Sequence, residues 1–238
     1  MVIVYVPAGE FLMGSADSDS LAYDNEKPQH KVYLDAFWID KTEVTNVQYE
    51  KCVQAGTCKA SRYASDSKYN AYNQPVVGVD WSQAQAHCQW TGRQLPTEAQ
   101  WEKAARGAQA DGRIYPWGNQ TATCDYAVMD EGGYGCGKGT TWPVGSKPQG
   151  TSPYGALDMA GNAWEWVADW YGDKYYASSP SRNPPGLSSG TYRIIRGGSF
   201  DFVAHRLRGA YRRWFDPALS GPYRGFRCVC ASGSSSGC

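Results

Sequence analysis

The chain has 238 residues and no formal net charge, with 42% hydrophobic and 14% aromatic residues, 27 Gly, 13 Pro and eight Cys. That length fits one large domain or two small ones with a core of ordinary size, and the zero net charge gives no general attraction to nucleic acid or to a membrane surface. Ten Trp and seventeen Tyr among so many Gly and Pro suit irregular loops pinned by buried rings, rather than a helix bundle or a doubly wound sheet.

From the N-terminus, residues 2 to 15 alternate as a strand, with Val2, Val4 and Val6 on one side, a break at Pro7 and a close at Met13-Gly14-Ser15. The start Met1-Val-Ile-Val-Tyr-Val is short and lacks a basic opening, so it does not read as a signal peptide. Asp17 to Gln29 reads as a polar loop, and the run from His30 to Asp40 as the next strand, burying Val32, Leu34, Phe37 and Ile39. Thr45 is placed to cap a short helix over Asn46 to Ala55, stopped at Gly56. Residues 59 to 74 are polar and Tyr-rich, a surface insertion. Ser82 is expected to cap a helix through Thr91, with Gly92 behind it. The next helix is better signalled: Thr97 with Gln100 makes a capping box after Leu95-Pro96, the helix runs to Arg106-Gly107, and Trp101 turns inward with Ala104 and Ala105.

Turns dominate from Asp111 to Ser152, and a Gly/Pro/Ser loop from Ala177 to Gly190 precedes a strand over Tyr192 to Ile195. No apolar run is long enough for a membrane span, no fixed-period repeat is visible, and nothing marks an interdomain linker. We read residues 1–238 as one domain.

The cysteines fall at 52, 58, 88, 124, 136, 228, 230 and 238. Cys52 with Cys58 and Cys124 with Cys136 can each staple a local loop, Cys238 is placed to tie down the tail after Cys230, and no Cys/His spacing suggests zinc. Disulfides favour a cell-surface or extracellular setting, or a thermophile's cytoplasm; free buried thiols remain the alternative. Charge is segregated as well. Residues 193 to 227 carry eight Arg, no Lys and two Asp, whereas residues 1 to 50 carry nine acidic residues and three Lys, so the two ends are expected to pack together.

Between Arg196-Gly-Gly-Ser-Phe and Gly225-Phe-Arg-Cys lies a stretch with neither helical nor strand period. Asp201, Phe202, Val203, His205 and Arg206, then Arg213, Trp214, Phe215 and Asp216, then Leu219, Ser220, Pro222 and Tyr223 mix large rings with charges, as protein-binding hot spots do. Any one of these rings taken alone could equally be core.

Pro7-Ala-Gly-Glu-Phe-Leu-Met-Gly-Ser, Thr42-Glu-Val-Thr-Asn, Leu95-Pro-Thr-Glu-Ala-Gln-Trp-Glu, Tyr115-Pro-Trp-Gly-Asn, Gly161-Asn-Ala-Trp-Glu-Trp, Arg196-Gly-Gly-Ser-Phe and Gly225-Phe-Arg-Cys resemble, in order, the motifs of the formylglycine-generating enzyme superfamily. The resemblance implies an α+β, C-type-lectin-like fold with low regular secondary structure and long loops. It pairs Cys88 with Cys228, and it implies a structural Ca²⁺ held by Asp158, Gly161, Ala163 and Glu165, a hard-oxygen set. Without it, Asp158 would read as a turn cap and Glu165 as an arginine's partner. The family's catalytic copper needs two cysteines, and the matching positions here are Phe202 and Leu207, so no copper is expected. Met1 lies within two residues of the family's first strand, which implies that upstream sequence was removed.

The C-terminal region more closely resembles the variable proteins of diversity-generating retroelements, with Gly197-Gly-Ser199, Leu207-Arg208, Ala210-Tyr211-Arg212, Pro217 and Gly225-Phe-Arg227 as scaffold and the thirteen residues above interleaved. That implies a non-catalytic module with a protein ligand. Two other classes stay open: a metal-dependent oxidoreductase of the superfamily, for which His30, His87 and His205 show no paired spacing, and a nucleic-acid or glycan binder using Arg beside rings. Nucleic acid is disfavoured because the scaffold arginines are expected to pair with the acidic N-terminal half.

Overall fold

The computed structural model describes residues 1–108 and 112–231. Pro7 divides the first alternating stretch into β1 (Ile3–Val6) and β2 (Gly9–Met13), and the expected single strand from His30 is two, β3 (His30–Leu34) and β4 (Phe37–Asp40). The breaks redirect the pairing, so that β1 runs antiparallel to β4 and β2 to β3. Val32, Leu34, Phe37 and Ile39 are buried as expected, while of the three valines only Val6 is; Val2 is exposed and Val4 half-buried. The last strand, β9 (Val229–Ala231), joins the other edge of β4 and brings the two chain regions of opposite charge into one sheet, β1-β4-β9.

Capping sets the three α-helices among the described residues. In α1 (Asn46–Gln54) the Gln48 side chain accepts the Thr45 N–H at 2.8 Å. The cap of α2 (Trp81–Trp90) is Asp80 and not Ser82: its carboxylate accepts the Gln83 N–H at 2.8 Å, and the Gln83 side chain accepts the Asp80 N–H at 3.0 Å. A carboxylate two residues earlier both starts the helix and favours its positive end. Thr97 and Gln100 form the expected box on α3 (Glu98–Arg106).

Nearly every side of α3 is buried. Ala99, Trp101, Ala104 and Ala105 pack on Val6, Phe11, Met13, Val32 and Leu34. Lys103 donates to the carbonyls of Pro7 and Gly9, both at 2.8 Å, which fixes the β1–β2 turn, and burial lowers its ammonium pKa to about 8.

The second sheet has the order β7-β6-β5-β8, formed by β5 (Trp164–Trp170), β6 (Arg193–Arg196), β7 (Arg213–Phe215) and β8 (Arg224–Phe226). β5 pairs antiparallel with β6 and parallel with β8, and β7 is an edge strand on β6. Trp164, Trp166, Ile195 and Phe226 form a core with Val44, Tyr49, Val76 and Leu95.

Among the described residues three disulfides close: Cys52–Cys58, Cys124–Cys136, and Cys88–Cys228 across 140 residues. The last links α2 to the end of the Arg-rich segment; the expectation for Cys238 lies outside the described residues. In the chain-entropy account a loop of that size is worth about 5 kcal/mol. Replacing Cys88 and Cys228 together by Ser is expected to lower Tm by roughly 5–15 °C, reading about 2–5 kcal/mol in a chain of this size; an unchanged melting curve would assign the bridge no structural role.

Asp169, on β5, accepts the Glu98 N–H at 2.7 Å. Burial, reinforced by Glu98, pushes its carboxyl up to about 7. Unfolded, the same group ionises near 3.9, so between about pH 4 and 7 the folded chain holds the extra proton, and this contribution is lost as pH rises through about 7. Asp169→Asn keeps an acceptor and removes the titration. Its Tm should gain on wild type between about pH 5 and pH 8; parallel pH profiles for the two proteins would contradict the assignment.

Candidate functional site

Buried guanidinium groups form the floor beneath the Arg-rich segment. Arg196, at the end of β6, reaches Glu102 at 2.6 Å and Glu98 at 3.2 Å, and the same two Nη groups hold the carbonyls of Gly209 (2.8 Å) and Ala210 (3.2 Å). Arg212 forks onto Glu98 at 2.7 and 2.8 Å and donates to the Asn25 carbonyl. Arg208 forks onto Glu26 at 2.6 and 2.8 Å and donates to the His205 carbonyl. Arg196, Arg208 and Arg212 thus pair with acids from the first half of the chain, though only Glu26 lies within the acid-rich first 50 residues, and the fourth scaffold arginine, Arg227, pairs instead with Glu165.

Between these anchors the main chain is tied to fixed loops. Asp130 N–H donates to the Phe202 carbonyl, Trp81 N–H to Pro217, Gly78 N–H to Gly221 and Trp164 N–H to Tyr223, all within 3.1 Å. Gly198, at φ 77°, has no room for a side chain: a Cβ there would meet Leu207 Cδ1 at 2.9 Å and the Arg206 carbonyl at 3.0 Å. Only glycine fits this left-handed close approach.

Side chains sort by the same division. Of the scaffold positions, Gly197, Gly198, Ser199, Leu207, Arg208, Ala210, Tyr211, Arg212, Gly225, Phe226 and Arg227 are buried and only Pro217 is half-exposed. None of the thirteen interleaved residues is buried. Val203, Trp214 and Leu219 are exposed, at 41%, 40% and 52%, and the other ten are intermediate. Phe202, Phe215 and Tyr223 rest one side on core residues while turning the other outward. The Phe202 ring stands edge-on to Trp164 at 5.4 Å, with Arg206 and Arg213 each 5.2 Å from it. His205 touches Arg206, and burial together with Arg206 and Arg208 lowers its pKa. Asp216 accepts the Ala218 N–H at 2.9 Å and shapes the turn that lifts Leu219.

Two hollows open on this face. A cavity of about 80 Å³ brings together Asp201, Phe202, Arg213, Phe215 and Tyr223 with Trp164, Ile195 and Arg224. Beside it, a groove of about 540 Å³ is walled by Arg213, Trp214 and Phe215 on one side and by Tyr23, Asp24, Asn25, Tyr171 and Asp173 on the other. Trp214 stacks on Tyr171 at 4.2 Å. Leu219, Ser220 and Pro222 line neither hollow. The groove's far wall and Arg224 are not among the expected site residues: the wall comes from distant segments, and Arg224, next to Tyr223 in the chain, carries no local mark that sets it apart from the scaffold arginines.

Leu207, one of the two positions matching the copper cysteines, is fully buried among Tyr115, Ala122, Ala127, Met129 and Ala160. Neither it nor Phe202 offers a metal-binding atom, and among the described residues no cysteine is free. The carboxylates of the expected calcium set are both engaged. Arg227 donates to the two oxygens of Glu165 at 2.6 and 2.7 Å, and Trp101 Nε1 donates to one of them at 2.7 Å. Asp158 accepts the Gly145 N–H at 2.6 Å and lies against Glu43, whose carboxyl is pushed well up by burial and by Asp158. A Ca²⁺ held by Asp158, Gly161, Ala163 and Glu165 would therefore share the Glu165 carboxylate with the Arg227 guanidinium.

Residues 2–232 match the sulfatase-modifying factor enzyme 1-like domain. The formylglycine-generating enzyme of Streptomyces coelicolor is 33% identical over 95% of this chain and 88% of its own length. Among solved structures, PvdO from Pseudomonas aeruginosa aligns with a TM-score of 0.82 at 26% identity, covering 95% of this chain and 93% of its own. Variable protein 1 of Treponema denticola aligns with 0.74 at 24% identity, covering 96% and 94%, a likeness of fold. With a family match across nearly its whole length, and with the buried Gly-Gly-Ser and Gly-Phe-Arg scaffold in place, the chain belongs to the sulfatase-modifying factor enzyme 1-like family.

Proposed function

We propose that this protein is a non-catalytic display module of the diversity-generating-retroelement variable type, contacting a protein ligand through the side chains of Asp201 to Tyr223. One observation carries the reading. The main chain of the segment is pinned by buried arginines and by hydrogen bonds to fixed loops, while none of its thirteen interleaved side chains is buried. A rigid backbone presenting half-seated rings loses little entropy on binding, which is how aromatic paratopes gain affinity. The fold likeness to a variable protein supports the reading, as does the absence of any ligating atom at Phe202 and Leu207.

A second reading follows from the enzyme names among the relatives: a metal-dependent oxidoreductase that holds its metal elsewhere. Stoichiometric copper or iron in protein purified under oxidising conditions would favour it. Nucleic-acid binding through Arg206 and Arg213 would instead appear as an affinity for single strands that falls steeply with salt.

Trp214 makes its main contact with Tyr171, at the surface. Trp214→Ala is therefore expected to cost about 1 kcal/mol of stability, and to weaken a partner found with the intact protein by about thirtyfold or more, as a hot spot does. An unfolded variant, or capture of the same partner at full strength, would sink the display reading. In the coding DNA, a nearby near-repeat of codons 197 to 227 differing at adenines is expected, and its absence removes the retroelement assignment.

A further inference from the structure

Five arginines are deeply buried among the described residues: Arg196, Arg208, Arg212, Arg224 and Arg227. Four hold a carboxylate within 2.7 Å. Arg224, only 2% exposed, pairs with none, and its Nε and Nη1 have no acceptor. Nη2 makes a long hydrogen bond to the Leu219 carbonyl at 3.3 Å, and the Tyr223 side chain is a further partner of the guanidinium. The guanidinium lies 3.7 Å from the Phe215 ring centre and 5.1 Å from that of Tyr223. Its opposite side is closed by Gly221, where a Cβ would come within 2.9 Å of Nη2. Burial lowers its pKa although Tyr223 opposes the shift, as for a cation held out of water with only partial compensation.

Arg224 forms part of the wall of the 80 Å³ cavity at the centre of the presented face. That hollow is several times the volume one water needs. Arg213 lines it too, and Asp201, its one carboxylate, is held by Ser199 Oγ at 2.5 Å. Arg206 stands beside the Phe202 rim, and neither it nor Arg213 is ion-paired among the described residues. Aromatic walls, a surplus of positive charge and a buried guanidinium short of acceptors together suit a carboxylate, the natural partner of an arginine.

We propose that this cavity is a carboxylate-binding subsite, and that the protein ligand enters it with an acidic side chain that pairs with Arg224. Placing the carboxylate on a partner rests on the display reading; the affinity of the cavity for a carboxylate does not. The surrounding rings exclude water from the pair, so it would act as a central anchor that selects partners by charge, not as a rim contact.

Acetate is the probe, titrated against chloride at equal ionic strength into the whole chain carrying ¹⁵N-labelled arginine. The expected result is a saturable shift of one Arg Nε–H resonance and a rise in Tm of a few degrees with acetate alone. Arg224→Met should lack that resonance and the acetate response while melting at or above the wild-type temperature, because it removes an unpaired buried charge. Equal responses to acetate and chloride overturn the proposal. So does a large fall in Tm for Arg224→Met, which would make Arg224 a structural group. A variant that does not fold counts with that outcome, and the wild-type comparison of the two anions tests the cavity independently of it. A positive acetate response with no partner sensitive to Trp214→Ala would uphold the subsite and refute the display reading, so the two fail separately.

Discussion

Glu98 and Glu102 lie one helical turn apart on α3, and the C-terminal half of the molecule depends on the charges they carry. They receive Arg196 and Arg212, which in turn hold the main chain of residues 209, 210 and 25. A segment with so little regular structure has few ladder hydrogen bonds, yet its buried carbonyls still need donors. Five N–H groups on a rigid fork meet that need better than any other side chain. Burial opposes ionisation of Glu102, but Arg196 and Arg106 outweigh it and keep its carboxyl below the usual range. Such buried pairs are weak evidence for net stability, since desolvation offsets much of the attraction. Their consequence is registry: removing one partner leaves a stranded charge, at about 3–5 kcal/mol, so the loops have one low-energy arrangement.

The same logic extends outward. Arg208 ties the loop after His205 to Glu26, and Arg227 ties the end of the segment to Glu165, with further donors on the carbonyls of Asp40 and Leu157. Guanidinium groups take the place that strands occupy in more regular folds. Against this pattern Arg224 stands out, built into the same layer with the same burial but with no acid facing it.

Legibility in the sequence followed the range of the interaction. Helices were readable because caps are local: Thr45 with Gln48 and Thr97 with Gln100 lie three residues apart. The Asp80 cap was misplaced to Ser82 because both residues can cap and only the packing of Trp81 decides between them. β5 gave little signal, since Trp164 to Val167 are buried on both faces and the alternation is lost. β7, β8 and β9 have three residues each and exist only through their partners. The thirteen presented positions were legible as a break in period. The opposite wall of the groove, Tyr23 and Tyr171, was not, because it reaches Trp214 from segments far away in the chain. Glu165 pairs with Arg227, the kind of partner its residue type suggests without the family pattern.

Tolerance to sequence change cannot be uniform across the presented face. At Val203 and Leu219 the side chain stands in solvent, and exchanges there should fall within the small range typical of surfaces, about ±0.5 kcal/mol. Phe202 and Phe215 are different, each resting on Trp164, Ile195 or Arg224 as well as facing outward. Trimming them would open a void above the sheet and expose a guanidinium that now has an aromatic cover. The face therefore combines freely variable outer positions with a ring of half-seated aromatics that must stay large. Those aromatics also wall the cavity in front of Arg224, so the constraint that keeps them bulky for packing preserves the shape of that hollow while the outer residues change.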